Sequence, residues 1–217
     1  TSHSTAMVFD GDRRFVSYAG AELTESELLA EWVKRMPNPF DEVKLMHIGL
    51  RDDSKLPQLL QEVRSHGVLI SLTCGWPAVE RYRNSHAELV EILRHTDLLF
   101  CNEIEALGIS GKSEIKDALR FFKSFGCRPV ITLGEKGAIT LQREQVIHQE
   151  ALSTKFVDAT GAGDSFATGF LTGIILGWPI SRALKLGVVC GSLSITALGG
   201  TEAFPQSLES IHHYLGQ

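Results

Sequence analysis

"DLLFCNEIEALGISGKSEIKDALRFFKSFGCRPVITL", residues 97–133, carries the pattern that decides the fold. "DLLFC" is a short apolar run with the length of a buried strand. "SEIKDALRFFKSFG" repeats its apolar residues at helical spacing and stops at Gly126. "PVITL" is a second short apolar run. Strand, helix and strand in this order predict two parallel strands joined by a helical crossover. The same unit recurs toward the N-terminus. "VKLMHI" reads as a strand, "KLPQLLQEVRSHG" as a helix closed by Gly67, and "VLISL" as a strand. "SHAELVEILRH" reads as a helix with a capping box at Ser85 and Glu88. Toward the C-terminus, "GAITL" and "QVIHQ" form an antiparallel excursion, and helices follow over about 162–176, 181–197 and 207–215. The whole predicts a mostly parallel sheet with helices on both faces, and ligands at the carboxyl ends of its strands.

The N-terminal stretch has a different period. "TSHSTAMVFDGDRRFVSYAGA" alternates as a hairpin, with strands at Thr5–Asp10 and Arg14–Tyr18 around a turn at Gly11-Asp12. "TESELLAEWVKRM" then begins a helix with a capping box at Thr24 and Glu27 and stops at Pro37. Residues 1–20 are thus expected to form a small pair of strands, and residues 21–217 one α/β domain. A lone hairpin is marginal in water, so these strands need partners.

Composition excludes several classes. A net charge of -5 with no Lys/Arg cluster along the sequence argues against nucleic-acid or anionic-membrane partners. "FLTGIILGWPI", the longest apolar stretch, is interrupted by Gly173, Gly177 and Pro179 and is too short to span a bilayer. The four cysteines, Cys74, Cys101, Cys127 and Cys190, are widely spaced without a C-x-x-C. They read as reduced core thiols of a cytoplasmic protein. His212 and His213 read as solvated surface.

Three short motifs sit where the sheet should bind ligands. In "VDATGAGDSFATGF", residues 157–170, small residues at Gly161, Ala162 and Gly163 open a helix. A helix start offers unpaired N–H groups and the positive end of the dipole, and side chains there would keep a phosphoryl group away. Asp164 follows directly and would repel an anion, so its presence fits a base that takes a proton from an attacking hydroxyl. The alternative is a glycine turn in which Asp164 only stabilises the helix dipole. After "DLLFC", "NEIEA" places Asn102 and Glu105 one helical turn apart, a pair suited to Mg²⁺ held through its waters. The alternative is that Asn102 caps a short helix and Glu105 is solvated. After "PVITL", "TLGEKGA" brackets a tight turn with Gly134 and Gly137, whose amides suit nucleotide phosphates together with Thr132. The alternative is a plain turn between strands. Neither a Walker A loop nor a G-x-G-x-x-G is present.

Together, in this order and at strand ends, the motifs resemble those of the pfkB (ribokinase-like) carbohydrate kinases over about residues 5–205. "DATGAGDSF" is similar to the family's C-terminal signature, "NEIEA" to its N-x-x-E motif and "TLGEKGA" to its nucleotide loop. "GDRRF" and Gly20-Ala21 resemble its lid strands. The resemblance implies a three-layer α/β fold with a mostly parallel central sheet and a small β-strand lid. It implies an ATP-dependent kinase that phosphorylates a hydroxymethyl group of a small carbohydrate. Asp164 would be the base, with the amides of Ala162, Gly163 and Asp164 as the anion hole after Gly161. Asn102 and Glu105 would order Mg²⁺, and Thr132, Gly134 and Gly137 would meet the nucleotide phosphates. Val189 and Ser192 would flank the adenine. In some members a monovalent cation, K⁺, lies beside the anion hole, and the matching carbonyls are Asp158, Thr160 and Gly200.

Departures from the family pattern are few. Ala159 stands where Thr or Val is usual, Thr168 where a smaller residue is usual, and "SLTCGWP" lacks an acid that many members carry. The family's N-terminal part, with most of its sugar contacts, is not in this sequence. A nucleoside kinase of the same fold and an inactive sugar-sensing module are the competing functions, although Asp164, Asn102 and Glu105 are all present. A homodimer clasped through the lid would cover its exposed strand edges.

Overall fold

The computed structural model describes residues 3–9, 12–18, 25–35 and 39–216. Strands β1 (His3–Phe9) and β2 (Asp12–Tyr18) pair antiparallel as a separate two-stranded sheet, with Phe9 opposite Asp12 and His3 opposite Tyr18. The hairpin is therefore longer than expected, and Asp12 belongs to its second strand rather than its turn. Helix α1 spans Glu25–Arg35. Thr24 of the expected capping box, and Pro37, lie outside the described residues.

The main sheet has six strands in sequence order: β3 (Leu45–Gly49), β4 (Leu69–Thr73), β5 (Leu98–Asn102), β6 (Arg128–Thr132), β7 (Ala138–Gln142) and β8 (Gln145–Gln149). The first four are parallel and the last two antiparallel, as the alternation predicts. Side chains alternate across a strand. Leu99, Cys101 and Ile131 therefore point into one core, under α2 (Leu56–Ser65), α3 (Trp76–Tyr82), α4 (His86–Arg94), α5 (Glu103–Ser110) and α6 (Ile115–Lys123). Leu98, Phe100 and Val130 point into the other, under α7 (Ala162–Ile175) and α8 (Ile180–Ser194). Two helical layers around one sheet give the three-layer α/β architecture that the motifs implied. Helix α3 had no counterpart in the sequence reading. The expected helix over 207–215 is reduced to a 3₁₀ turn at Glu209–Ile211 and a short α9 (His212–Leu215).

Local signals hold unevenly. Ser85 does precede α4, but its side chain makes no cap bond. Arg81 of the preceding helix takes both halves of the expected box instead. Its guanidinium donates to Ser85 Oγ at 3.1 Å and to Glu88 Oε2 at 2.6 Å. A charged donor outcompetes a backbone amide for the same oxygens. Asn102 and Glu105, by contrast, form a complete capping box on α5.

Helices α7 and α8 pack backbone to backbone because glycines face the contact. A Cβ on Gly169 would lie 2.8 Å from Cys190 Sγ, and one on Gly187 would lie 2.9 Å from the Phe166 carbonyl. This close approach sets where the first turn of α7 meets the sheet. All four cysteines are buried and free. Burial pushes the Cys74 thiol up to about 12 and that of Cys190 to about 11, with Gly75 opposing the shift at Cys74. No described helix is long and apolar enough to cross a membrane.

Candidate active site

The site forms where the carboxyl ends of β5 and β6 meet the start of α7. Gly161 is the N-cap of α7 in the left-handed region, φ 70°, which only glycine adopts without strain. A Cβ there would also stand 2.9 Å from Gly200 Cα. Gly163 differs, because nothing lies within 4 Å of where its Cβ would be. The protein itself does not demand a glycine at 163, so that space is free for a ligand. Ala162 N–H is already engaged, donating to the Ala159 carbonyl at 3.2 Å. Of the three amides expected to line an anion hole, that of Ala162 is thus already used, and those of Gly163 and Asp164 lie in the open first turn. Asp164 is exposed on that turn, and its carbonyl accepts from Thr168 Oγ1 at 2.8 Å.

Asp158 anchors this loop. Its buried carboxylate accepts from Thr160 N–H at 2.7 Å and from Gly199 N–H at 2.9 Å. The N–H groups of Val157 and Asp158 both reach the Ile195 carbonyl, and Ser165 Oγ reaches the Gly200 carbonyl. The loop with Asp158 and Thr160 is thus held against Gly200, which brings together the residues expected around a monovalent cation.

At the end of β5, Asn102 Oδ1 accepts from Glu105 N–H at 2.8 Å, and Glu105 Oε2 accepts from Asn102 N–H at 2.9 Å. The capping alternative is therefore real. Glu105, however, is half-buried rather than solvated, and burial pushes its carboxyl above the usual range against the opposing Asn102 amide. Its other oxygen, Oε1, takes no hydrogen bond among the described residues. A half-buried carboxylate with a free oxygen fits a hydrated divalent cation, so capping and metal binding are compatible at this pair.

The turn after β6 treats its two glycines differently. Gly134, φ 60°, has open space where a side chain would stand. Gly137 is crowded, since a Cβ would run into the Gln149 carbonyl and lie 2.7 Å from Ala151 N. Its N–H donates to the Gly134 carbonyl and its own carbonyl accepts from Leu133. Gly137 lines the site, yet its polar backbone is used within the turn, so the expectation of a phosphate-binding amide at 137 is corrected to a packing role.

Between these elements lies a cavity of about 600 Å³. Thr132, Gly134, Ala162 and Gly163 line it, and Leu152, Phe156, Val188 and Ile195 supply apolar wall. The wall on α8 is one helical stripe: Val188, Gly191, Ser192 and Ile195. Val189 is corrected by the structure. It is 1% exposed and packs on Ile211 and Leu215, one helical step away from the cavity. Ser192 does line the cavity, and it also holds the opposite wall. Its Oγ accepts from Leu152 N–H and its carbonyl accepts from Thr154 Oγ1, both at 3.1 Å. Leu152, Thr154 and Phe156 were missed in the sequence because a wall made by an irregular strap has no period.

A second cleft of about 360 Å³ lies between α6 and the β7–β8 turn and gathers none of these residues. It places Lys116, Arg120 and Lys123 on one face, a basic grouping that linear spacing conceals, opposite Glu144. Arg120 is paired with Asp117 at 3.0 Å.

Comparisons with known proteins identify the family and the fold. The chain is 32% identical over 157 residues to a cytidine kinase of Thermococcus kodakarensis, covering 70% of this chain and 55% of that protein. It is 31% identical over 213 residues to a ribokinase of Lactococcus lactis, covering 96% and 65%. It spans about half the length of most of the curated relatives it matches. Among solved structures, a ribokinase II described as putative, from E. coli in complex with ATP and Mg²⁺, superimposes with a TM-score of 0.77 at 24% identity, over 98% of this chain and 70% of that one. The family described as pfkB family carbohydrate kinase matches residues 5–207. Because that match spans more than half of the chain, the chain belongs to the pfkB family of carbohydrate kinases.

Proposed function

We propose that this chain carries the nucleotide site and the catalytic base of an ATP-dependent kinase that phosphorylates a hydroxymethyl group of a small carbohydrate. The observation that carries the reading is Asp164, exposed and directly behind an open helix turn at Gly163. The cavity fits a nucleotide: open backbone at Gly134 and Gly163 accepts phosphates, and the apolar wall at Leu152, Phe156 and Val188 accepts a base. The Asp164 carboxylate takes the proton of the acceptor hydroxyl, whose oxygen attacks the γ-phosphorus of ATP, and ADP leaves. The Gly163 and Asp164 amides meet the charge on the transferring oxygens, which is positioning and electrostatics rather than covalent catalysis. Glu105 and Asn102 are the residues that would hold hydrated Mg²⁺, which supplies charge neutralisation on the phosphates.

The test is an ADP-release assay on the intact protein across sugars and nucleosides, with Asp164→Asn alongside. A sugar should be the best acceptor, and Asp164→Asn should lower kcat by ~10²–10⁴. A nucleoside as the best acceptor would favour the activity named for the Thermococcus relative. A variant that keeps more than a third of the wild-type rate would remove Asp164 as the base.

A further inference from the structure

On the sheet face away from α7, the cleft of about 360 Å³ between α6 and the β7–β8 turn gathers positive charge on a chain whose net charge is -5. Lys116, Arg120 and Lys123 stand at i, i+4 and i+7 of α6, so they share one side of the helix. The buried residues Ala118, Leu119 and Phe122 lie beside them and hold α6 on the sheet. Leu141 of β7 belongs to the same core, and Val146 of β8 is its cross-strand partner. Partners across two strands share a face, so Val146 points to the α6 side of the sheet. It is nevertheless 43% exposed, an apolar side chain left open in a cleft lined by cations.

These charges are only partly engaged. Arg120 Nη1 donates to Asp117 at 3.0 Å, which leaves the other guanidinium donors without a partner among the described residues. Lys116 and Lys123 make no side-chain hydrogen bond or ion pair among the described residues. Glu144 is the one acid in the lining, and no ion pair joins it to the three cations. The cleft has the size of a small-molecule site. It shares no lining residue with the larger cavity. Ala138 pairs with Thr132 at the end of β7 near that cavity, and Leu141 lies about 10 Å further along the strand.

We propose that this cleft is a second binding site, for a small phosphate monoester with an apolar body, its phosphate held by Lys116, Arg120 and Lys123 and its body resting on Val146. Charge and shape together select this class. A phosphate monoester carries about two negative charges at neutral pH and presents three strong acceptor oxygens. A monocarboxylate has one charge and two oxygens, too few for three cations. Lys and Arg side chains are long enough to converge from successive turns of one helix side onto a single phosphate. Glu144 repels the anion from the far lip and so confines the phosphate to the α6 side. Val146 offers an ion nothing, and its exposure is relieved only by an apolar group.

An NMR titration of the intact protein with phenyl phosphate tests this. Mg²⁺ and a non-transferable ATP analogue are present throughout, to keep the probe out of the larger cavity. Backbone amide signals of residues 116–124 and 141–146 should move and saturate with a Kd below about 1 mM. Inorganic phosphate, which lacks the apolar body, should bind at least about threefold more weakly. Lys116→Ala combined with Lys123→Ala should raise the Kd for phenyl phosphate at least about tenfold, and Glu144→Gln should lower it about twofold. Val146→Ser should weaken phenyl phosphate while leaving inorganic phosphate within about twofold. No saturation by about 10 mM, or a Kd that the paired lysine substitutions leave unchanged, overturns the proposal. Equal affinity for the two probes overturns the apolar body and the ligand class with it. Shifts confined to the first turn of α7 and the turn after β6 place the probe in the larger cavity and overturn the second site. If the paired variant does not fold, Lys123→Gln and Glu144→Gln still decide, because they must move the Kd in opposite directions.

Discussion

Gly161 and Gly163 are two residues apart and are glycines for different reasons. At Gly161 a side chain meets both a left-handed backbone and the Gly200 backbone, so Gly161→Ala should destabilise the fold, by about 1–2 kcal/mol from the backbone alone. At Gly163 the helix would welcome alanine, which gains up to about 1 kcal/mol over glycine in a helix interior. Gly163→Ala should therefore leave Tm equal or higher while lowering kcat/KM for ATP by about tenfold or more. Equal loss of stability in both variants would show that both glycines serve packing. Glu105 allows a similar separation. Glutamine accepts the same Asn102 amide in a capping box, so Glu105→Gln should keep the thermal midpoint. It should raise the Mg²⁺ concentration needed for half-maximal rate, and an unaltered Mg²⁺ curve with lost stability would leave only the cap.

Element by element, the helix termini show how far local chemistry reaches. Ser85–Glu88 and Asn102–Glu105 both have the composition of a capping box; Asn102–Glu105 forms one, whereas Arg81 occupies Ser85 and Glu88. Asn102→Ala should cost about 1 kcal/mol, the usual worth of a cap, and Ser85→Ala less than about half of that. Chemical denaturation of the two variants measures the difference, and equal costs would contradict the geometry. On α8 and its C-cap the stripe at 188, 191, 192 and 195 lines the 600 Å³ cavity, whereas Val189 packs with Ile211 and Leu215. Ser192→Ala removes the acceptor for Leu152 N–H and should raise KM for ATP while leaving KM for the acceptor within about twofold.

For the whole molecule, the β1–β2 hairpin forms its own sheet apart from the six-stranded one. A two-stranded hairpin gains little stability alone. We propose that it serves as a clasp between two copies of the chain, and deleting residues 3–18 from the intact protein should then convert a dimer to a monomer in sedimentation. A wild-type protein that sediments as a monomer would remove the clasp.

The strand–helix alternation, the parallel sheet and the glycine-rich turn at the start of α7 were determined by the sequence alone. Each depends on spacing within a few residues: period two or a short apolar run for strands, helical spacing for α2, α4 and α6, and small residues at a helix start. The family's three motifs were legible for the same reason, since every one lies within a single loop. Only the tertiary structure decided which face of α8 meets the cavity, because one residue rotates a helix position by about 100° and the docking of α7 sets that phase. It alone gave Arg81 to Ser85, the strap from Leu152 to Phe156 to the cavity wall, and the cations of α6 to the β7–β8 turn. Those partners are set by where separate elements come to rest against each other, and no local period records that.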